Sequence, residues 1–257
     1  MRCLGFLSAG EPDTTGLYWR QLHEEIRRLT GRRHSGRIIA ESLDAAELLE
    51  EIAGVHDPRR AGRRLAEAAR RIERRGAKGV LLCSSTLHPH AETVRDAVGI
   101  PVLHIATAMA EKLRRVGLHP PALLGLDRAR GEERAWQRVL AACGIKETIL
   151  PTMIDSGFVQ EQLRRGLNSE TAADEIRAAF IRLSLDLKHT GARVIVLARP
   201  ELAFALPEEK SVLPTICALQ AHCELAARFV LDRANGGAQS TAGTGIPRSD
   251  DPRDARK

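Results

Sequence analysis

The stretch from Gly79 to His90, G-V-L-L-C-S-S-T-L-H-P-H, constrains the fold more than any other part of the chain. Its apolar run, Val80 to Cys83, is too short for a buried helix. With Gly76 and Gly79 before it and hydroxyl side chains after it, the run predicts a buried strand. Ser84, Ser85, Thr86 and His88 then fall at the strand's carboxyl end, the edge where open α/β sheets bind ligands. The same serines and threonine equally suit a cap on the following helix.

The rest of the chain alternates in the same way. Strands are expected at Arg2–Ser8, Arg37–Glu41 and Val102–Ile105. Helices are expected over about 15–29 (with Thr14 as N-cap), 45–53, 59–75, 90–98 and 107–116, the last ending at Gly117. His119-Pro120-Pro121 marks a junction, after which the pattern restarts. Strands are expected at Ala122–Leu126, Thr148–Pro151, Arg193–Ala198 and Ser211–Ile216, with helices over about 132–143, 156–165, 169–190 and 218–231. Strands alternating with helices predict parallel sheets and βαβ units, here as two similar Rossmann-like α/β domains. Residues 1–117 with 217–234 make the first domain and 118–216 the second. Residues 235–257, rich in Gly, Ser, Thr, Asp, Arg and Pro, read as a disordered tail.

A net charge of +6 invites a nucleic-acid reading, so its location matters. Between Arg59 and Arg75 there are eight arginines and two glutamates, which accounts for all of it. In that helix Ala61, Leu65, Ala68 and Ile72 recur at helical spacing, so the arginines ring a core face and read as a solvated surface. With one Tyr and two Trp, base-stacking platforms are scarce, which argues against nucleic acid. No segment has the roughly 18 unbroken apolar residues of a membrane span. The apolar start is too short for a signal peptide, so a cytoplasmic protein is expected. The five cysteines, at 3, 83, 143, 217 and 223, form no C-x-x-C pair and read as free thiols. Histidines and carboxylates lack metal-ligand spacing, so no metal site is expected.

An internal echo links the two halves. Gly76-Ala77-Lys78-Gly79-Val80-Leu81-Leu82-Cys83-Ser84 can be laid on Gly191-Ala192-Arg193-Val194-Ile195-Val196-Leu197-Ala198-Arg199. Each has a Gly-Ala turn, an apolar strand and a break into polarity at the ninth residue. Ser84 and Arg199 therefore occupy equivalent strand ends, and two such ends facing each other would form a cleft of the kind that binds small ligands.

On these residues, together with Gly99-Ile100-Pro101-Val102-Leu103-His104-Ile105, the chain resembles the aspartate/glutamate racemase family over nearly all of residues 2 to 232. Members read G-A-D, strand, C-N-T-A-H, then I-P-V-L-H-I, and in the second half G-A-D, strand, G-C-T-E-L. The resemblance implies two α/β domains with pseudo-twofold symmetry, a site in the cleft between them and no cofactor. One cysteine from each half would exchange a proton with the substrate's α-carbon. It implies a small carboxylate or amino acid as ligand and is compatible with a homodimer. Counting from Gly76 and back from Pro101 places Ser84 on the first family cysteine, Ser85 on the Asn, Thr86 on the Thr and His88 on the His. Arg199, Pro200, Glu201 and Leu202 fall on C-T-E-L. The threonines of G-T-x-x-T are replaced in Gly125-Leu126-Asp127-Arg128-Ala129, while the Ser-Thr at the first long helix survives as Thr14-Thr15.

These substitutions change the chemistry. A thiol, with an ordinary pKa near 8.5, can serve as a two-way proton carrier. A serine hydroxyl needs a partner base. An arginine side chain stays protonated to above about pH 12 and accepts no proton. Ser84, Arg199, His88 and Cys83 are the candidate catalytic residues, and Thr14, Thr15, Ser85, Thr86, Glu201 and Arg128 the candidate binding residues. Arg199 would grip a carboxylate or steady an enolate, or else pair with Glu201 or another acid at the domain edge. Cys83 either turns to the cleft or packs as a small hydrophobe. Ser84 with His88 supplies a nucleophile and a base but no third member of a triad. The leading expectation is a diverged, cofactor-independent enzyme that moves a proton, isomerises or eliminates on a small amino or dicarboxylic acid. Its rival is a catalytically silent carboxylate-binding or partner protein.

Overall fold

The computed structural model describes residues 1–9, 12–31, 34–52 and 59–232. The expected tail at 235–257 lies outside them. In the first half β1 (Leu4–Ser8), α1 (Pro12–Thr30), β2 (Ile38–Ser42), α2 (Ala45–Ile52), α3 (Arg60–Arg74) and β3 (Val80–Leu82) follow one another. A 3-10 helix (Ser85–His90), α4 (Ala91–Ala97), β4 (Val102–Leu103) and α5 (Ile105–Val116) complete it. The second half runs β5 (Pro121–Leu124), α6 (Glu132–Ala142), α7 (Met153–Arg164), α8 (Asp174–His189), β6 (Val194–Leu197), α9 (Leu202–Ala205) and β7 (Thr215–Cys217). The closing helix is α10 (Ala218–Val230).

Two wholly parallel sheets result, ordered β2-β1-β3-β4 and β5-β6-β7. Strands β1, β3, β5 and β6 are fully buried, because helices cover both faces. The expected strand at Thr148–Pro151 shrinks to a single parallel bridge, Ala122 to Ile149, at the edge of the second sheet. Thr14 is not an N-cap: α1 begins two residues earlier, at Pro12, a proline suited to the first helical turn.

The sequence echo has a physical cause. At the end of α3 the amide of Gly76 donates to Glu73 O and that of Ala77 to Ile72 O; at the end of α8 Gly191 donates to Lys188 O and Ala192 to Leu187 O. Gly76 and Gly191 have φ of 99° and 101°, which glycine adopts without the strain an L side chain would bring. Both helices thus end in the same Schellman cap. The strands that follow share a register. Val80 pairs with Gly5 as Ile195 pairs with Ala122. Cys83 then donates to Leu7 O, and Ala198 to Leu124 O, each at 2.9 Å. Ser84 and Arg199 leave their sheets at matching points.

After β7 the chain returns to the first half, where α10 shares a core with β1 and α1: Leu4, Phe6, Tyr18, Leu22 and Ile26 pack with Cys223, Ala226, Phe229 and Val230. Lys112 and Glu224 tie α5 to α10 at 2.7 Å. A second core runs through both halves, bringing Leu65, Ala106 and Met109 together with Trp136, Leu140 and Val196. The halves therefore meet over an apolar floor beneath the strand ends. Among the described residues no helix is long and apolar enough to cross a membrane.

Gly79 is a close approach: a Cβ there would lie 2.7 Å from Phe229 Cζ and 2.8 Å from Cε1. Gly79→Ala is expected to cost roughly 1–3 kcal/mol through overpacking. Phe229→Leu in the same chain should recover part of that loss. Urea midpoints measure both, and an unchanged midpoint for Gly79→Ala would contradict this packing.

Candidate functional site at the two strand ends

Ser84 is extended (φ −161°, ψ 142°) and its side chain makes no capping bond to the 3-10 helix it precedes. The capping role is therefore unfilled. Ser84, Ser85, Thr86 and His88 are all buried. From the other half Arg199 reaches across to them: its Nη1 donates to Thr86 Oγ1 at 3.2 Å. The structure thus brings the two echoed strand ends together.

The other two guanidinium nitrogens are engaged as well. Nε donates to Gly125 O at 3.4 Å, and Nη2 donates to both carboxylate oxygens of Glu132, at 2.8 and 3.1 Å. Arg199 pairs with Glu132, not with Glu201. Glu132 is wholly buried at the first position of α6. Its Oε2 also accepts the Asp127 amide at 3.0 Å. A carboxylate in the first helical turn gains further from the partial positive charge of the helix N-terminus. The result is a continuous link, Thr86 to Arg199 to Glu132, joining the halves at the candidate cleft.

Other expected site residues lie in varied places. Cys83 is buried in the α10-side core and its thiol faces Leu81 O at 3.7 Å. Burial pushes that thiol well above its ordinary pKa, which leaves it a small hydrophobe. Thr15 Oγ1 is 2.5 Å from Ser8 Oγ, at the end of β1 on the same sheet edge as Ser84. Thr14 sits beside it, partly buried, in the first turn of α1. Arg128 pairs with Glu133 at 2.7 Å and its Nη1 lies against Met153 Sδ. Glu201 is partly buried, and its Oε2 has no hydrogen-bond partner among the described residues.

His88, expected from the sequence, belongs to a buried group whose other members, His104, His222 and Tyr18, sequence reasoning missed. The rings of His88 and His104 are 4.4 Å apart, and His88 and His222 are 5.4 Å apart. Tyr18 joins them, its hydroxyl 3.1 Å from His222 Nδ1. His222 Nε2 donates to Leu103 O at 2.9 Å, so Nδ1 is free to accept from Tyr18. His104 Nδ1 accepts the Ala106 amide at 3.1 Å and so caps α5. The His104 pattern requires a neutral imidazole, and the His222 pattern is compatible with one. His104 is pushed down to about 3 and His222 to about 4, in each case chiefly by burial. Burial, then the neighbouring His104 and His222, holds His88 well below the usual range, against an opposing pull from the Leu82 backbone, and its ring nitrogens make no well-formed hydrogen bond among the described residues. Among those residues no cluster of His, Cys, Asp and Glu has the form of a metal site.

Two parallel α/β sheets with matched registers and strand ends meeting over a shared floor define a two-domain α/β protein with its candidate site between the halves. A family model described as Asp/Glu/Hydantoin racemase matches residues 11–226, and the chain belongs to that family. It is similar to a candidate Asp/Glu racemase from Yersinia pestis, at 26% identity and a TM-score of 0.81, over 90% of this chain and 100% of that one. An aspartate racemase homologue from Pyrococcus horikoshii OT3 matches at 19% identity and a TM-score of 0.76, over 90% and 100% of the two chains. Glutamate racemase from Francisella tularensis, solved with D-glutamate, shares the fold at 14% identity and a TM-score of 0.57, over 93% of this chain and 84% of that one.

The histidine group makes stability depend on pH. Unfolded histidines titrate near ~6.5. Below that value the unfolded chain binds protons that buried His88, His104 and His222 refuse, so their contribution is whole above about pH 7 and is lost as pH falls. Each adds a slope of roughly 1.4 kcal/mol per pH unit until its folded pKa is reached. Urea midpoints are expected to drop steadily from pH 7 to pH 5, before ordinary carboxylates titrate. A flat profile over that range would contradict the buried, neutral state of the three rings.

Proposed function

We propose that this chain is a diverged racemase-family protein whose cleft binds a small amino or dicarboxylic acid, without a cofactor, and does not racemise it by two thiols. The observation that carries this reading is the engagement of Arg199. At the second family cysteine position stands a guanidinium already bound to Glu132, Gly125 and Thr86. Such a group orients an anion well and carries protons poorly. At the first position stands Ser84, and the neighbouring thiol of Cys83 is turned into the core. Hydroxyls of Ser84, Ser85 and Thr86, with Thr14 and Thr15 from α1, supply donors for a carboxylate, and the unpartnered Glu201 oxygen suits an ammonium group. The division into 1–117 with 217–234 and 118–216 is supported by the packing of α10 on the first half.

A second reading, that of an isomerase or lyase, is favoured by one observation. The His88 imidazole is buried and neutral, two residues beyond Thr86 in the 3-10 helix that carries the hydroxyl cluster. A neutral imidazole there would accept a proton if a substrate reached it.

Hydrogen–deuterium exchange at the α-carbon of L-aspartate and L-glutamate in D₂O separates the two. None is expected with the natural chain, while a diacid or amino acid from a small panel should raise its Tm. Exchange would establish the second reading; an unshifted Tm across the panel would remove the carboxylate cleft. Thiols put back by Ser84→Cys and Arg199→Cys should restore exchange, provided that Glu132→Gln accompanies them, since Arg199→Cys alone strands a buried carboxylate.

A further inference from the structure

A cavity of about 810 Å³, lined by Trp19, Arg20, His23, Arg27, His34 and Ser35, opens on α1 and the chain that follows it. Its size falls within the roughly 300–1,000 Å³ of small-molecule sites. On a helix of 3.6 residues per turn, Trp19, His23, Arg27 and Arg20 fall within an arc of roughly 100°. They present one face.

The indole is fixed, yet open. Phe6 meets it edge-on at 6.1 Å and 82°. The His23 ring lies 5.2 Å away at 31°, held there because Nδ1 donates to the Trp19 carbonyl at 2.7 Å. Nonetheless Trp19 is 48% exposed, whereas the other tryptophan, Trp136, is wholly buried. An exposed, braced aromatic platform is an unusual use of the largest apolar side chain and suits stacking of a planar ring.

Among the described residues the full charges that line it are those of Arg20 and Arg27, with Glu24 between them on the same helix. No carboxylate among the described residues lines the cavity. Neither Arg20 nor Arg27 has an ion-pair partner among the described residues, whereas adjacent Arg28 pairs with Glu25 at 2.7 Å. Arg27 lies eight residues beyond Trp19, about 12 Å along the helix. That span exceeds a free phosphate. One platform serves one base, which argues against a strand of nucleic acid.

We propose that this cavity binds a nucleoside diphosphate, with the base against the Trp19–His23 wall and the phosphates on Arg20 and Arg27. The site is separate from the cleft and does not depend on what the cleft binds.

ADP is the probe, and tryptophan emission reads Trp19 because Trp136 is shielded. ADP should quench the emission saturably, and Trp19→Phe should abolish the response. Arg20→Gln and Arg27→Gln, both at exposed positions, should each weaken ADP about tenfold through loss of a charge-assisted contact. Adenosine alone and pyrophosphate alone should each bind at least about tenfold more weakly than ADP, since each keeps only part of the contacts. Absence of a saturable response and of calorimetric heat at millimolar ADP would overturn the proposal. So would an ADP affinity unchanged when both arginines are replaced, or a short oligonucleotide that binds more tightly than ADP.

Discussion

The ion pair between Arg199 and Glu132 is the constraint on which the centre of the molecule depends. A carboxylate with no exposed surface must be fully paired, since an unpaired buried charge costs several kcal/mol. Glu132 meets that demand with two contacts from Arg199, the Asp127 amide and a place in the first turn of α6. Arg199 in turn touches Thr86 in the other half. One interaction thus positions the loop after β5, the start of α6 and the approach of the two strand ends. It also consumes the side chain that stands where the family resemblance puts a thiol.

Beneath this link the two halves repeat each other for reasons that are local and geometric. A Schellman cap needs a residue that accepts positive φ, and Gly76 and Gly191 supply it. Each cap delivers its strand to the same register, and each strand ends two residues before the site. The arginine-rich helix plays a different part. Arg60 and Arg64 pair with Glu51 on α2, while Arg71 and Arg75 pair with Glu41 on β2. Ala61, Leu65, Ala68 and Ile72 face the core, as their spacing predicts. The arginines stay partly exposed, while the side chains of Glu51 and Glu41 are largely buried. Together the pairs fasten the edge strand without requiring a nucleic-acid partner for the charge.

Much of this was legible in the chain itself. The Gly-Ala turns, the apolar runs of β3 and β6 and the equivalence of Ser84 with Arg199 are written in local sequence, and local rules of capping and burial govern them. The alternatives for Cys83 and Arg199 also needed no structure to state, only to decide. What stayed hidden depends on distant partners. Glu132 looks like any acid in a first helical turn, and its partner is Arg199, far along the chain. His222 reaches Leu103, and Tyr18 reaches His222, through contacts between β4, α1 and α10 that no spacing encodes. Short elements failed differently: α9 was not foreseen, and the Thr148–Pro151 strand reduced to one bridge because little of it pairs.

The most direct test of the account is a double-mutant cycle on this pair, using Glu132→Gln, Arg199→Gln and the two together, with unfolding free energies measured in urea at pH 7. If the guanidinium is spent on Glu132, the two substitutions are strongly coupled, by about 2 kcal/mol, and the double variant is much more stable than the sum of the single losses implies. Additive losses, within about 0.5 kcal/mol, would mean that Arg199 does not depend on Glu132 and would contradict the account of the site given above.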